Sequence, residues 1–233
     1  MNIKIFGDLH LTNNDIIDKP VLEFLIANIK KDDMLVFLGD IFHSFDTGLR
    51  NESFYNFLSQ MENIVYIILG NHDISQNRFS IQKNVINNFS KRVTAINEYG
   101  FVDVQNVRLH FYNYFRRGKF KTDLFFIDRE KINILCSHMD LRVDSQDKVY
   151  KDFRRVVNGH IHDFENGGNA YSSLVNLGAV RQVAVNESPD KKFVTIIPSP
   201  EDNDFKFKYT EFKTPVDIKK VILEEIESVV IYK

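Results

Sequence analysis

Asp8-Leu9-His10, Gly39-Asp40, Gly70-Asn71-His72-Asp73, Cys136-Ser137-His138 and Gly159-His160-Ile161-His162 follow one another along the chain, each where a stretch that reads as a β-strand ends. Six of the seven histidines fall inside or within three residues of these clusters; only His110 stands apart. Carboxylate, imidazole and amide donors in this mixture suit borderline-hard divalent ions, Mn²⁺ foremost, with Fe²⁺, Zn²⁺ and Mg²⁺ also compatible. Two such ions about 3.5–4 Å apart can hold the non-bridging oxygens of a phosphoester and supply a hydroxide to attack it. The chemistry to expect is phosphoester hydrolysis at a two-metal centre.

Within that scheme Asp40 can bridge. Asp8, His10 and one histidine of the Gly159 cluster can complete one ion; Asn71, His138 and the other histidine can complete the second. His72, beside a ligand, is placed to protonate the leaving oxygen, with Asp73 orienting its ring. Taken singly these residues mean little. Gly-Asp and Gly-Asn after a strand are ordinary turn chemistry. Asp8 or His10 could cap a helix, and so could Asp73. Cys136 reads as a small core residue, and His110 as a strand histidine. The five clusters together differ, because turns have no need of histidine at four of the five places.

The elements that must position them alternate in the first half. Residues 3–6, 34–38 and 64–69 are apolar strands, separated by amphipathic helices over residues 18–30, with Asp18 as cap, and 51–61. Such alternation makes an α/β layer whose ligands collect beyond the carboxyl ends of the strands. In the second half strand follows strand, at residues 101–104, 107–112, 132–137, 156–157, 173–177 and 193–198. The fold class expected is α/β, a four-layer α-β-β-α sandwich of two mixed sheets. The catalytic domain is expected over residues 1–200, with a C-terminal strand and helix appendage over 201–233 (strand near 205–212, helix near 215–228).

Composition sets limits. At 233 residues and 43% hydrophobic the chain can bury a sizeable core, and at a net charge of −2 it carries no global basic field. Two divalent ions would add positive charge at the site itself, so a polyanionic substrate stays compatible. The single cysteine excludes an internal disulfide and fits a reducing compartment. The first residues are too short and strand-like for a signal peptide, and no apolar run reaches membrane-spanning length. A cytoplasmic enzyme is the expectation.

The five clusters resemble, in order and spacing, those of the calcineurin-like metallophosphoesterase superfamily. The resemblance covers roughly residues 1–200. It implies metal ligands at Asp8, His10, Asp40, Asn71, His138, His160 and His162, and a catalytic histidine at His72. It also pairs His162 with Asp8 and His10, and His160 with Asn71 and His138. Gly39-Asp40-Ile41-Phe42-His43 is similar to a segment of the SbcD-type DNA-repair nucleases. So is Tyr171-Ser172-Ser173, followed by Leu177-Gly178-Ala179-Val180-Arg181-Gln182. Protein phosphatases of the superfamily carry Asp-Arg-Gly where Phe42-His43-Ser44 stands here.

In the nuclease branch a histidine at the position of His43 helps place the nucleic-acid backbone; a loop residue hydrogen-bonded near Asp40 is the plainer reading. Arg116, Arg117 and Lys119, with Tyr112, Tyr114 and Phe115 just before them, mix cations with stacking rings. A solvated loop explains these three equally; with Arg50 and Arg181 they are the residues expected to face a DNA substrate. The branch also implies an SbcC-like ATPase partner; a homodimer is a further possibility. Departing from it, the chain has only about 30 residues after the core, where those nucleases carry a capping domain and an ATPase-binding region. The leading expectation is a metal-dependent DNA nuclease. A small-molecule phosphoesterase acting on nucleotides or cyclic nucleotides is the alternative, and a non-catalytic scaffold the third.

Overall fold

Alternation of side chains sets the strands of the first half between two apolar layers. In β1 (Ile3–Phe6) Ile3 and Ile5 face one layer and Phe6 the other; in β2 (Met34–Phe37) Met34 and Val36 oppose Leu35 and Phe37. Burial on both faces is why these strands read as nearly continuous apolar runs. The one charge among them, Lys4, is buried and pairs with Asp33 at 3.1 Å. The computed structural model describes residues 1–75, 91–96, 98–114, 125–141, 151–168 and 173–216.

Two six-stranded sheets result. In the first, β1, β2, β3 (Val65–Ile67) and β4 (Val93–Ala95) run parallel. On the other side of β1 the antiparallel β11 (Asp190–Ser199) and β12 (Asp204–Lys213) extend it. In the second, β6 (Val107–Tyr112), β7 (Ile132–His138), β8 (Arg155–Gly159) and β10 (Ser173–Asn176) are parallel neighbours. The antiparallel β5 (Tyr99–Val104) and β9 (Glu165–Gly168) form its edges.

Ile3, Ile5, Val36 and Ile196 of the first sheet pack against Val107, Leu109, Phe111, Ile134 and Val157 of the second. Helices α1 (Asp15–Asn28) and α3 (Glu52–Gln60) cover the outer face of the first sheet. Leu22, Leu25, Phe54 and Leu58 meet Phe6, Leu35 and Phe37 there. A single short turn of helix, α2 (Phe45–Gly48), lies between β2 and α3. A third cluster, with Tyr112, Leu135, Phe153, Val156 and Leu174, lies on the second sheet's other face. The expected α/β class with two mixed sheets is the observed one; the helical layer among the described residues is that on the first sheet. No helix among them is long and apolar enough to cross a membrane.

Three local differences have physical causes. Asp18 does not cap α1: the helix begins at Asp15, and Asn14 accepts from Ile16 N–H. The Asp18 carboxylate instead takes the N–H groups of Thr12 and Asn13, at 2.7 and 2.9 Å, and Nδ2 of Asn51 at 2.8 Å. It therefore ties the loop after β1 to the start of α3. β4 and β9 were not foreseen, being short and weakly apolar. The expected division after residue 200 falls in the turn of a hairpin paired from Asp190↔Lys213 to Ser199↔Asp204. The helix expected near residues 215–228 lies outside the described residues after 216.

Phe37 has no exposed surface and lies between Phe6, with centroids 5.8 Å apart, and Phe54, 6.5 Å away. Phe37→Ala is expected to cost about 3–5 kcal/mol of unfolding free energy in urea titration. A loss below about 1 kcal/mol would show that this layer collapses around the cavity.

Candidate metal centre

The clusters sit where the parallel strands of both sheets end, and the loops after β1 and β2 are lashed together first. Asp40 O accepts from the N–H groups of Leu9 and His10 at 3.1 and 2.9 Å, and Leu11 N–H reaches Ile41 O at 2.9 Å. Asp8 O takes Val180 N–H at 2.8 Å, and His162 O takes Ala179 N–H at 3.0 Å. These bonds bring residues far apart in sequence into one pocket of side chains.

Three of those residues, His10, Asp40 and His160, have φ of 50°, 44° and 73°. The left-handed region costs a non-glycine residue on the order of 1 kcal/mol or more, and here the surrounding backbone bonds hold it. Glycine is needed where the backbone passes closest. A Cβ on Gly70 would overlap the Asp40 carboxylate and backbone nitrogen, and one on Gly159 would lie 2.5 Å from Asp8 Oδ1.

Two groups of donors form, sharing Asp40. In the first, His10 Nε2 is 3.2 Å from His162 Nε2, His162 Nε2 is 3.9 Å from Asp8 Oδ2, and His10 Nε2 is 3.8 Å from Asp40 Oδ2. In the second, His138 Nε2 lies 3.3 Å from Asp40 Oδ2 and 3.1 Å from Asn71 Oδ1, and His160 Nδ1 lies 2.9 Å from Asn71 Oδ1. Ligand atoms of Asp8, His10 and His162 all fall within 4.8 Å of one another, as do those of Asp40, His138 and His160, and those of His10, Asp40 and His72.

These donors fit divalent ions. Metal–nitrogen bonds of about 2.0–2.1 Å place two ligands of a tetrahedral ion roughly 3.4 Å apart, close to the His10–His162 separation. The electrostatics agree. Burial, opposed by His138 and reinforced by Asp40, pushes the Asp8 carboxyl up to about 7. Burial works against a proton on His138, but the carboxylates of Asp40 and Asp8 outweigh it and raise the ring to about 9. His160, held down by burial and by His138, falls to about 4. Bound dications would favour the ionised Asp8 carboxylate that burial opposes and the neutral His138 ring that the neighbouring carboxylates oppose.

Behind the second group lies a row of polar side chains on neighbouring strands. Ser137 Oγ donates to Asn158 Oδ1 at 2.8 Å, Asn158 Nδ2 to Asn176 Oδ1 at 2.9 Å, and Asn176 Nδ2 to Glu165 Oε2 at 2.8 Å. Asn158 also grips the Met139 N–H and C=O and the Gly159 C=O. The ends of β7 and β8, which deliver His138 and His160, are thereby fixed.

His72 and Asp73 stand differently from expectation. Asp73 does not orient the His72 ring. Its buried carboxylate accepts from Gly70 N at 3.0 Å, Phe42 N at 3.2 Å and Ile41 N at 3.3 Å. Adjacent side chains diverge here: Asp73 turns to backbone donors, whereas a ring nitrogen of the part-exposed His72 falls within 4.8 Å of ligand atoms of His10 and Asp40. His72 Nδ1 meets the His43 carbonyl at 2.6 Å, and His72 N–H donates to Asp40 Oδ1 at 2.8 Å. His43 itself is exposed, its ring 5.9 Å from His72 and 5.7 Å from His10.

Of the residues expected to meet substrate, Arg50 is exposed at the start of α3. Arg116, Arg117 and Lys119 lie outside the described residues. Arg181 is only 3% exposed and does not match a substrate contact: Nε and Nη2 donate to the His10 carbonyl at 3.1 and 2.7 Å, and Nη1 to Gln182 O at 2.7 Å. It acts as a brace under the first group. Burial lowers this guanidinium to about 10. Tyr114, at the end of β6, places its ring 5.6 Å from that of His160. A cleft of about 570 Å³ lined by Lys131, Lys151, Arg154 and Asp202 opens at the amino ends of β7 and β8, and takes no part in the centre. Sequence reasoning missed Glu187, whose carboxylate lies against His162; it sits in a loop with no periodicity or motif to mark it.

The profile described as Calcineurin-like phosphoesterase matches residues 1–164. No curated protein sequence matches the chain. Among solved structures, a single mutant of Vps29 from Entamoeba histolytica is similar at 14% identity, covering 91% of this chain and 100% of that one, with a TM-score of 0.48. Vps29 from Chaetomium thermophilum is similar at 13% identity, covering 92% and 100%, with a TM-score of 0.46. A predicted phosphoesterase from Streptococcus pneumoniae is similar at 14% identity, covering 91% and 97%, with a TM-score of 0.45.

Gly70→Ala is expected to displace Asp40 and weaken Mn²⁺ binding by about tenfold or more in calorimetric titration, while the far-ultraviolet spectrum stays folded. Retention of wild-type Mn²⁺ affinity would show that Asp40 can be moved without disturbing the centre.

Proposed function

The chain belongs to the calcineurin-like phosphoesterase family, and on that premise we propose that it is a two-metal-dependent phosphodiesterase whose substrate is DNA. The observation that carries the reading is Asp40, shared between two groups of donors with His72 alongside. Asp8, His10, His162 and Asp40 would hold one ion, and Asp40, Asn71, His138 and His160 the other. Divalent ions bound there would supply Lewis acidity to the phosphate oxygens and a lowered pKa to an attacking water.

The chain's own residues do the rest. Asp40 spans the two groups and keeps them at a fixed separation. The His43 carbonyl accepts from His72 Nδ1, so Nδ1 keeps its hydrogen and Nε2 is the atom that exchanges a proton; taken up there from solvent, that proton passes to the leaving oxygen. Its backbone N–H on Asp40 Oδ1 sets the distance between acid and centre. Buried Arg181, bonded twice to the His10 carbonyl, holds that ligand against thermal drift.

A polymeric substrate is supported by the open side of the centre. Asn71, His72, His160 and His162 are part-exposed and His43 is exposed, so among the described residues the ligands meet the surface. His43, three residues beyond Asp40, is exposed with its ring 5.9 Å from that of His72, and on this reading it meets the nucleic-acid backbone. The second reading is a nucleotide or cyclic-nucleotide phosphoesterase, favoured by Tyr114: a ring beside His160 can stack on a single base.

A substrate panel with Mn²⁺, comparing single-stranded DNA, duplex ends, cyclic nucleotides and bis(p-nitrophenyl) phosphate, tests the proposal. DNA is expected to be cleaved faster than cyclic nucleotides; turnover of cyclic nucleotides with intact DNA would give the second reading. Excess chelator is expected to abolish every activity. His72→Asn is expected to keep the metal content and lose about 10²–10⁴-fold in turnover, whereas loss of metal would make His72 a ligand.

A further inference from the structure

His162 is gripped from behind, and none of the other ligand histidines is gripped in the same way among the described residues. Its Nδ1 lies 2.9 Å from Glu187 Oε1, while its Nε2 faces the first group of donors. The rest of the Glu187 carboxylate is also engaged. Oε1 accepts from Ala184 N–H at 3.1 Å, and Oε2 accepts from Val183 N–H at 2.9 Å and from Lys191 Nζ at 3.3 Å. Lys191, 2% exposed, donates again to the His162 carbonyl at 3.2 Å. Glu187 and Lys191 thus hold the residue by ring and by backbone.

The contrast lies in what stands behind each ring. His138 turns Nδ1 to the Leu38 carbonyl at 2.8 Å, a neutral acceptor. His160 uses Nδ1 toward the centre itself. His10 Nδ1 is buried with no partner. Asp8 Oδ1 lies 3.6 Å from His138 Nδ1, beyond hydrogen-bond reach, whereas behind His162 stands a carboxylate within that reach. With backbone N–H groups and an ammonium already donating to it, that carboxylate offers the ring acceptor oxygens alone, so Nδ1 must carry the hydrogen. A carboxylate in this position raises the basicity of the ligating nitrogen and fixes its direction.

We propose that Glu187 is a positioning residue: it fixes His162 in the tautomer whose Nε2 is free for a divalent ion, and its effect is confined to the Asp8, His10 and His162 position. The inference rests on the reading of this cluster as a two-metal centre. Two measurements on the full chain test it: calorimetric titration of Mn²⁺ into metal-stripped protein, and ¹⁵N NMR of the histidine ring nitrogens.

The wild-type chain is expected to show two Mn²⁺ sites and a His162 protonated at Nδ1. Glu187→Gln is expected to weaken one site by about 10–100-fold and leave the other unchanged. Unchanged affinity at both sites overturns the proposal, and so does equal weakening of both, which a general loss of structure would produce. If the variant fails to fold, the wild-type spectrum decides: His162 protonated at Nε2 overturns the proposal. A wild-type chain that binds no Mn²⁺ overturns the metal-centre reading as well, whereas two intact sites in Glu187→Gln overturn only the role of Glu187.

Discussion

Everything at the centre of this molecule turns on the Asp40 side chain and the peptide that carries it. One carboxylate oxygen takes the His72 N–H, the other faces His138 and His10, and the carbonyl takes the N–H groups of Leu9 and His10. Loops after three strands of the first sheet and the last residue of β7 in the second therefore converge on one residue in a left-handed conformation. Gly70 passes so close that a methyl group would collide with it. Such a residue cannot be moved by itself; the two donor groups move with it or not at all.

Around that point the protein holds its donors by buried polar groups rather than by apolar packing alone. Arg181 braces the His10 carbonyl, Asp73 collects three loop N–H groups, and the Ser137–Asn158–Asn176–Glu165 row ties the strand ends of the second sheet. The polar groups of these braces are matched by partners, as burial requires, while His10 Nδ1 at the centre is buried without one. Rigid strands supply the direction and these bonds supply the fine placement, which is what a centre needing sub-ångström accuracy demands.

Much of this was legible in the chain. β1 and β2 announce themselves because burial on both faces selects continuous apolar residues. The donor residues announce themselves because histidine, aspartate and asparagine after strand-ending glycines have few other reasons to recur. The roles of individual neighbours were another matter. Asp18 reads as a helix cap and instead clamps a loop. Asp73 reads as the partner of His72 and instead serves the backbone behind Asp40. Arg181 reads as a residue facing DNA and is buried beneath a ligand. In each case the residue type is informative and its direction is not, because direction depends on contacts made by distant segments.

What the order of amino acids determined by itself was therefore the inventory: apolar strands, the glycines that end them, and a set of donors matched to divalent ions. Only the tertiary structure decided which donors share a space, that Asp40 stands between two groups, and that Glu187 faces His162 across 25 residues of chain. Periodicity and motif are local quantities, fixed by the geometry of one strand or one turn. Convergence depends on how two sheets pack and on which buried polar groups find one another.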